Sequence, residues 1–190
     1  MHFNLHLNPN ENQKDLRVIE FNKKTNELVI ETGILEASSN HQTKKKLSPG
    51  VISPATYYNT SVTYKSWAQD PVEITVNSIA TTLNWTYDYS SVGTYSSNYD
   101  AYAYRGITIW WLYYPVEHSQ SGNPTWCQAD DTAVFKNTDF GDPDEPTYVS
   151  YEDNKAVGYY DGSADGDVYV SINGEAYWML HYHSSLTRNN

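Results

Sequence analysis

From residue 57 onward the chain repeats one pattern. Short runs of alternating bulky and polar side chains are separated by clusters of Asp, Asn, Gly, Pro and Ser. Alternation with period two marks a half-buried β-strand, and no window of twelve residues shows the helical spacing instead. Strands are predicted near residues 57–66, 72–78, 80–88, 102–114, 132–136, 147–152, 156–160, 167–172 and 175–185. The breaks between them fall at Asp70-Pro71, Ser90–Gly93, Ser121–Pro124, Asp142-Pro143 and Asn173-Gly174, residues that favour turns. Short strands at this spacing predict an all-β fold, an antiparallel β-sandwich. The pattern does not separate a jelly-roll from an immunoglobulin-like strand order.

Two stretches make the pattern specific. Asn173-Gly174 is the favoured pair for a tight hairpin turn and predicts pairing of Asp167–Ile172 with Glu175–Tyr182. In "EAYWMLHYH" alternation would put Trp178, Leu180 and Tyr182 on one face and Tyr177, Met179, His181 and His183 on the other. In "ITIWWLYYP" the adjacent Trp110-Trp111 and Tyr113-Tyr114 must point oppositely. Both faces are then apolar, which predicts a central strand ended by Pro115.

The N-terminal part reads differently. All 18 tyrosines and all 6 tryptophans lie after residue 47. Residues 1–46 carry seven basic and six acidic side chains, whereas residues 47–190 carry five and seventeen. Between them "EASSNHQTKKKLSPG" has linker chemistry. Two pieces are therefore expected: an N-terminal segment, residues 1–47, and an aromatic-rich acidic sandwich, residues 48–190. Within the first, residues 16–21 and 27–32 flank a polar five-residue loop and predict a β-hairpin. A lone hairpin is marginal in water. It must dock on the sandwich, pair with another chain or stay unfolded. Lys44–Lys46 is a cleavable run, which admits a pro-segment reading beside that of an ordinary linker.

Charge narrows the partners. A net charge of -11 argues against nucleic acid and against an anionic membrane surface, since both need a basic face. The single cysteine, Cys127, has no intrachain disulfide partner. No apolar run reaches the length of a membrane-spanning helix, and the first fifteen residues lack the basic and apolar regions of a signal peptide.

Candidate chemistry is sparse. "DGSADGD" matches the opening of a calcium loop through Asp161, Ser163 and Asp165, with Asp167 following. Ile172 stands where a bidentate Glu belongs, so this is no EF-hand. Calcium bound between loops, or an Asp/Gly-rich turn, explains the same letters. His181 and His183 would lie on one strand face about 6.5–7 Å apart. They can ligate a transition metal if His118 adds a third nitrogen, or simply ride on the sheet. Trp67, Trp126, Tyr95 and Tyr99 are the candidate ligand or partner surface, as rings suited to stacking on sugars or on protein. The sequons Asn59-Thr60-Ser61 and Asn84-Trp85-Thr86 are acceptors only in a glycosylating host. No nucleophile elbow, phosphate loop or metalloprotease motif is present, so no enzyme is expected.

At "TTLNWTYDYSSV", "TAVFKNTDF" and "YWMLHYHSSL" the chain resembles a group of small secreted bacterial proteins of unknown function that end in a Leu-aromatic-His segment. Members carry a cysteine pair; here Cys127 stands alone, with Asp139-Phe140-Gly141 where the second would fall. The resemblance implies an extracellular, β-rich protein and supplies no activity. Together these readings lead to a non-catalytic extracellular binding or structural protein. It would self-associate through its N-terminal segment, as a homo-oligomer or filament, or engage a glycan or other cell-surface component. A carbohydrate-binding module and a secreted bacteriocin-like effector with a pro-segment are the alternatives.

Overall fold

A computed structural model describes residues 1–22, 27–33, 56–139, 144–174 and 177–189. Those residues build two six-stranded antiparallel sheets packed face to face. Sheet A runs β1 (His2–Leu7), β11 (Ala164–Asn173), β10 (Thr147–Tyr159), β9 (Trp126–Asn137), β7 (Trp110–Leu112). β8 (Glu117–Gly122) shares the free side of β9 with β7. Sheet B runs β3 (Glu27–Gly33), β2 (Gln13–Asn22), β12 (His181–Arg188), β4 (Tyr58–Gln69), β5 (Thr75–Tyr87), β6 (Val92–Ala103). The fold is thus the expected all-β sandwich, with the β2–β3 hairpin extending one edge of sheet B.

Alternation places the core. Phe3, Leu5 and Leu7 of β1 point inward while His2, Asn4 and His6 point out. Val168, Val149, Tyr151 and Phe135 from sheet A meet Val62, Tyr64, Leu83, Trp85, Tyr182 and Leu186 from sheet B, all buried. Rings interleave across the layers: Phe3 stacks on Tyr182 at 4.8 Å, and Tyr151 meets the same Tyr182 ring tilted at 6.4 Å. Each such side chain contributes about 1.5–3 kcal/mol when fully buried.

Two glycines make room for the largest rings. A Cβ at Gly166 would lie 2.2 Å from the Tyr64 ring, and one at Gly158 would lie 2.6 Å from Trp85. The Trp85 indole N–H donates to the Tyr159 carbonyl beside it, at 3.0 Å. Gly166→Ala is expected to cost about 2 kcal/mol, because Tyr64 has no empty space to enter. Urea unfolding of the variant measures it, and an unchanged midpoint would refute this packing.

Several expected elements differ in detail. Residues 72–78 and 80–88 belong to one strand, β5, and residues 147–152 and 156–160 to one strand, β10. A bulge between Glu152 and Lys155 breaks the alternation of β10, with Asp153 at φ 53°. The bulge turns Asn154 into the core. Residues 102–114 are not one central strand. They split into the end of β6, an isolated Arg105–Ile109 bridge, and β7, a three-residue strand at the edge of sheet A. The expected hairpin at Asn173-Gly174 is absent. Gly174 takes φ +107°, but β11 pairs with β10 and β1, while β12 crosses to sheet B between β2 and β4. A single 3₁₀ turn, Tyr177–Met179, interrupts the expected strand 175–185. That turn leaves Trp178 69% exposed while Leu180 and Tyr182 are buried, so the three do not share a face.

Segment 1–47 supplies β1 to sheet A and β2 and β3 to sheet B. Of the fates open to its hairpin, the structure has it paired on its own chain, against β12. Lys44–Lys46, Pro49-Gly50 and Asp142-Pro143 lie outside the described residues.

Candidate functional site

The acidic loop is engaged within the fold. Asp161 accepts from the backbone N–H and hydroxyl of Ser163 at 2.9 and 2.6 Å, a closed turn that helps hold its carboxyl below the usual range against the effect of burial. Asp165 and Asp167 sit on the outer face of β11, where β1 lays His6 and His2 against them at 2.6 and 2.5 Å. Asp165 also accepts from the Tyr159 hydroxyl. The four expected calcium ligands therefore share a region, but their oxygens are turned to different partners. Among the described residues no group of three or more His, Cys, Asp or Glu side chains is arranged to hold a metal ion.

His181 and His183 share the outer face of β12, as their spacing predicts. The His183 ring is buried against Trp67, stacked at 5.1 Å, and lies beside Arg17. His118, the expected third nitrogen, belongs to β8 of the other sheet. Trp67 is thus half-buried under His183, and Trp126 starts β9 opposite Tyr159. Tyr95 and Tyr99 are brought together with a different set of groups, at the rim. Cys127 is buried, and burial pushes its thiol up to about 12, which makes it unreactive.

At that rim β6, the edge of sheet B, faces β8, the edge of sheet A. Ser97 Oγ lies 3.1 Å from His118 Nε2 and donates to Gln120 Oε1 at 2.8 Å. His118 Nδ1–H donates to Asp131 Oδ1 at 2.6 Å. The Thr81 hydroxyl donates to the other oxygen, Oδ2, at 2.5 Å. Asp131 is fully buried. Burial holds its carboxyl above the usual range, opposed by the hydrogen bonds from Thr81 and His118. The chain of polar groups continues inward. Asn154, turned in by the β10 bulge, donates to Thr81 at 2.8 Å and accepts from Ser66 at 2.6 Å, and Ser66 accepts from Tyr182 at 3.2 Å. Such networks are stable only when their members are satisfied.

The second candidate is a groove of about 520 Å³ on sheet B, formed where β4, β5 and β6 run side by side. Its lining is Asn59, Thr60, Ser61, Asn84, Trp85, Thr86, Thr94, Tyr95, Ser96 and Asn189. Both sequon asparagines open into it. Tyr57 lies along Gly93 at its end, while Tyr58 and Tyr87, of the opposite parity, turn toward sheet A and cluster with Tyr89 at centroid distances of 5.2–5.6 Å.

No protein-family model matches this chain, and no curated protein or solved structure does either. The geometry must carry the functional argument.

Ser97, His118 and Asp131 come from "YSSNYD", "VEHSQS" and "QADDTA". These are three strands of two sheets with no spacing rule between them. No sequence signal marks them, because a Ser-His-Asp arrangement is recognised by geometry. The groove had a visible signal. The alternate residues Asn59-Ser61, Asn84-Thr86 and Thr94-Ser96 read as three short amide-and-hydroxyl faces. Their adjacency needed the pairing of β4 with β5 and of β5 with β6.

Proposed function

We propose that the protein is an extracellular binding protein whose groove on β4, β5 and β6 takes a neutral saccharide. The observation that supports this is the groove's lining. In a chain of net charge -11, all ten of its residues are uncharged. Amides and hydroxyls supply both donors and acceptors, the complement of sugar hydroxyl groups. The exposed ring of Tyr57 at one end offers a face for stacking. A phosphate or sulfate ligand would call for basic groups, and the lining has none.

The full chain, titrated calorimetrically against neutral oligosaccharides chosen from a glycan array, is expected to bind at least one. Asn84→Ala should then weaken binding roughly fivefold, the loss of one net hydrogen bond of about 1 kcal/mol. A correctly folded protein that binds nothing on an array of neutral glycans ends this reading.

A further inference from the structure

The rim groups form an ordered relay. Asp131 is buried and fixed by Thr81, and it receives the Nδ1 proton of His118. This sets the tautomer, so Nε2 carries the lone pair and points at Ser97 Oγ, 3.1 Å away. The Ser97 hydroxyl donates to Gln120 Oε1 at 2.8 Å. A half-turn of the exposed Gln120 amide brings its NH₂ to Ser97 instead and frees the serine hydrogen to bond Nε2. Ser97 is half-buried, and Gln120 and Tyr99 are exposed, so the group opens to solvent. The bland alternative is a clasp that ties β8 to β6. A clasp needs a hydrogen bond at each step. It does not need the serine to meet Nε2 while a buried carboxylate meets Nδ1, the order an activated nucleophile requires.

We propose that Ser97, His118 and Asp131 are an acyl-transfer site that hydrolyses uncharged carboxylic esters. Ser97 Oγ bonds to the ester carbonyl carbon as His118 Nε2 takes the hydroxyl proton. The carbonyl π pair moves onto oxygen, where the Gln120 NH₂ donates to it. Collapse breaks the bond to the alkoxy group, which leaves as the alcohol with the proton from His118. Water then attacks the acyl-serine, giving its proton to His118. The carboxylic acid departs as that proton returns to Ser97. Ser97 and His118 are the catalytic residues, and Asp131 is a positioning residue. Tyr95 and Tyr99, two places either side of Ser97 on the same strand face, flank the acyl group. They favour a small apolar one. The chain's net charge of -11 disfavours an anionic ester. A single side-chain donor for the oxyanion makes slow turnover the expectation.

The test is covalent labelling of the full chain with a fluorophosphonate probe, located by mass spectrometry of the digest. Locating the adduct matters because exposed tyrosines are also acylated by activated esters. One adduct on Ser97 is expected, lost in Ser97→Ala and reduced at least about 100-fold in rate in His118→Ala. Hydrolysis of p-nitrophenyl butyrate should fall in parallel. Both substituted residues stand at the open rim, and circular dichroism of each variant checks its fold. No adduct after hours at pH 8, an adduct elsewhere, or a Ser97 adduct indifferent to His118→Ala would each overturn the assignment.

Discussion

A chain lacking residues 1–47 is expected not to fold. β1 and β2 bring Phe3, Leu5, Leu7, Leu16 and Val18 into the core. Truncating a single buried leucine typically costs 2–5 kcal/mol, while a whole domain is stable by only about 5–15 kcal/mol. Deleting all five at once therefore exceeds the margin. The backbone argument points the same way. β11 would lose β1, and β12 would lose β2, exposing a fresh edge on each sheet. Unpaired edges of this kind recruit other chains. The deletion should show no cooperative unfolding transition, a collapsed near-ultraviolet signal from the interleaved rings, and aggregation. Leu7→Ala in the full chain is the graded control, with an expected loss of about 3 kcal/mol. A truncated protein that is monomeric and as stable as the full chain would show that β1 and β2 are appendages after all.

That expectation runs against the composition boundary near residue 47, and the reason is instructive. The boundary is real in aromatic content and charge, but composition does not record pairing. "HFNLHL" alternates with period two, yet it is not among the predicted strands. It lacks the β-branched and aromatic density that marks the later strands, so propensity hides it. β8, "EHSQSG", has no apolar residue at all and is a strand only because β9 offers it a partner. The sandwich class was legible because the rings alternate along most strands. The order was not. Asn173-Gly174 has the local chemistry of a hairpin, yet β12 is drawn to the other sheet, where it lies between β2 and β4 and buries Tyr182 and Leu186. Tertiary burial outweighed a local turn preference. The rim site is the extreme case, since its three groups meet only through the way β6, β8 and β9 close the side of the sandwich.

The protein should lose stability as pH falls from about 6.5 to about 4, and much of that loss should trace to His183. Its ring is 8% exposed, stacked on Trp67, and its Nε2 is buried without a hydrogen-bond partner. The charged or titratable groups around it are Arg17 from β2, His181 from its own strand, and Glu73 from the turn after β4. Lys65, also on β4, lies over the Trp67 ring at 5.6 Å. Burial, then Arg17 and His181, lower the His183 pKa from 6.5 to about 4, with Glu73 opposing. The unfolded chain then binds a proton that the folded one refuses throughout that interval. Stability is complete above pH 6.5, declines as acid is added, and loses nothing further from this group below pH 4. The full difference is about 3 kcal/mol. Asp131 works in the opposite sense, because its raised carboxyl contributes stability at low pH that is lost as pH rises through the carboxylate range. Its influence therefore lies at the acid end. His183→Phe keeps a ring on Trp67 and removes the titration. Urea unfolding of both proteins at pH 7, 5.5 and 4 should give curves that diverge by about 3 kcal/mol, the variant falling less. Parallel curves would mean that His183 is protonated in the folded protein as readily as in the unfolded one, and that the ring is not sealed beneath Arg17 and Trp67.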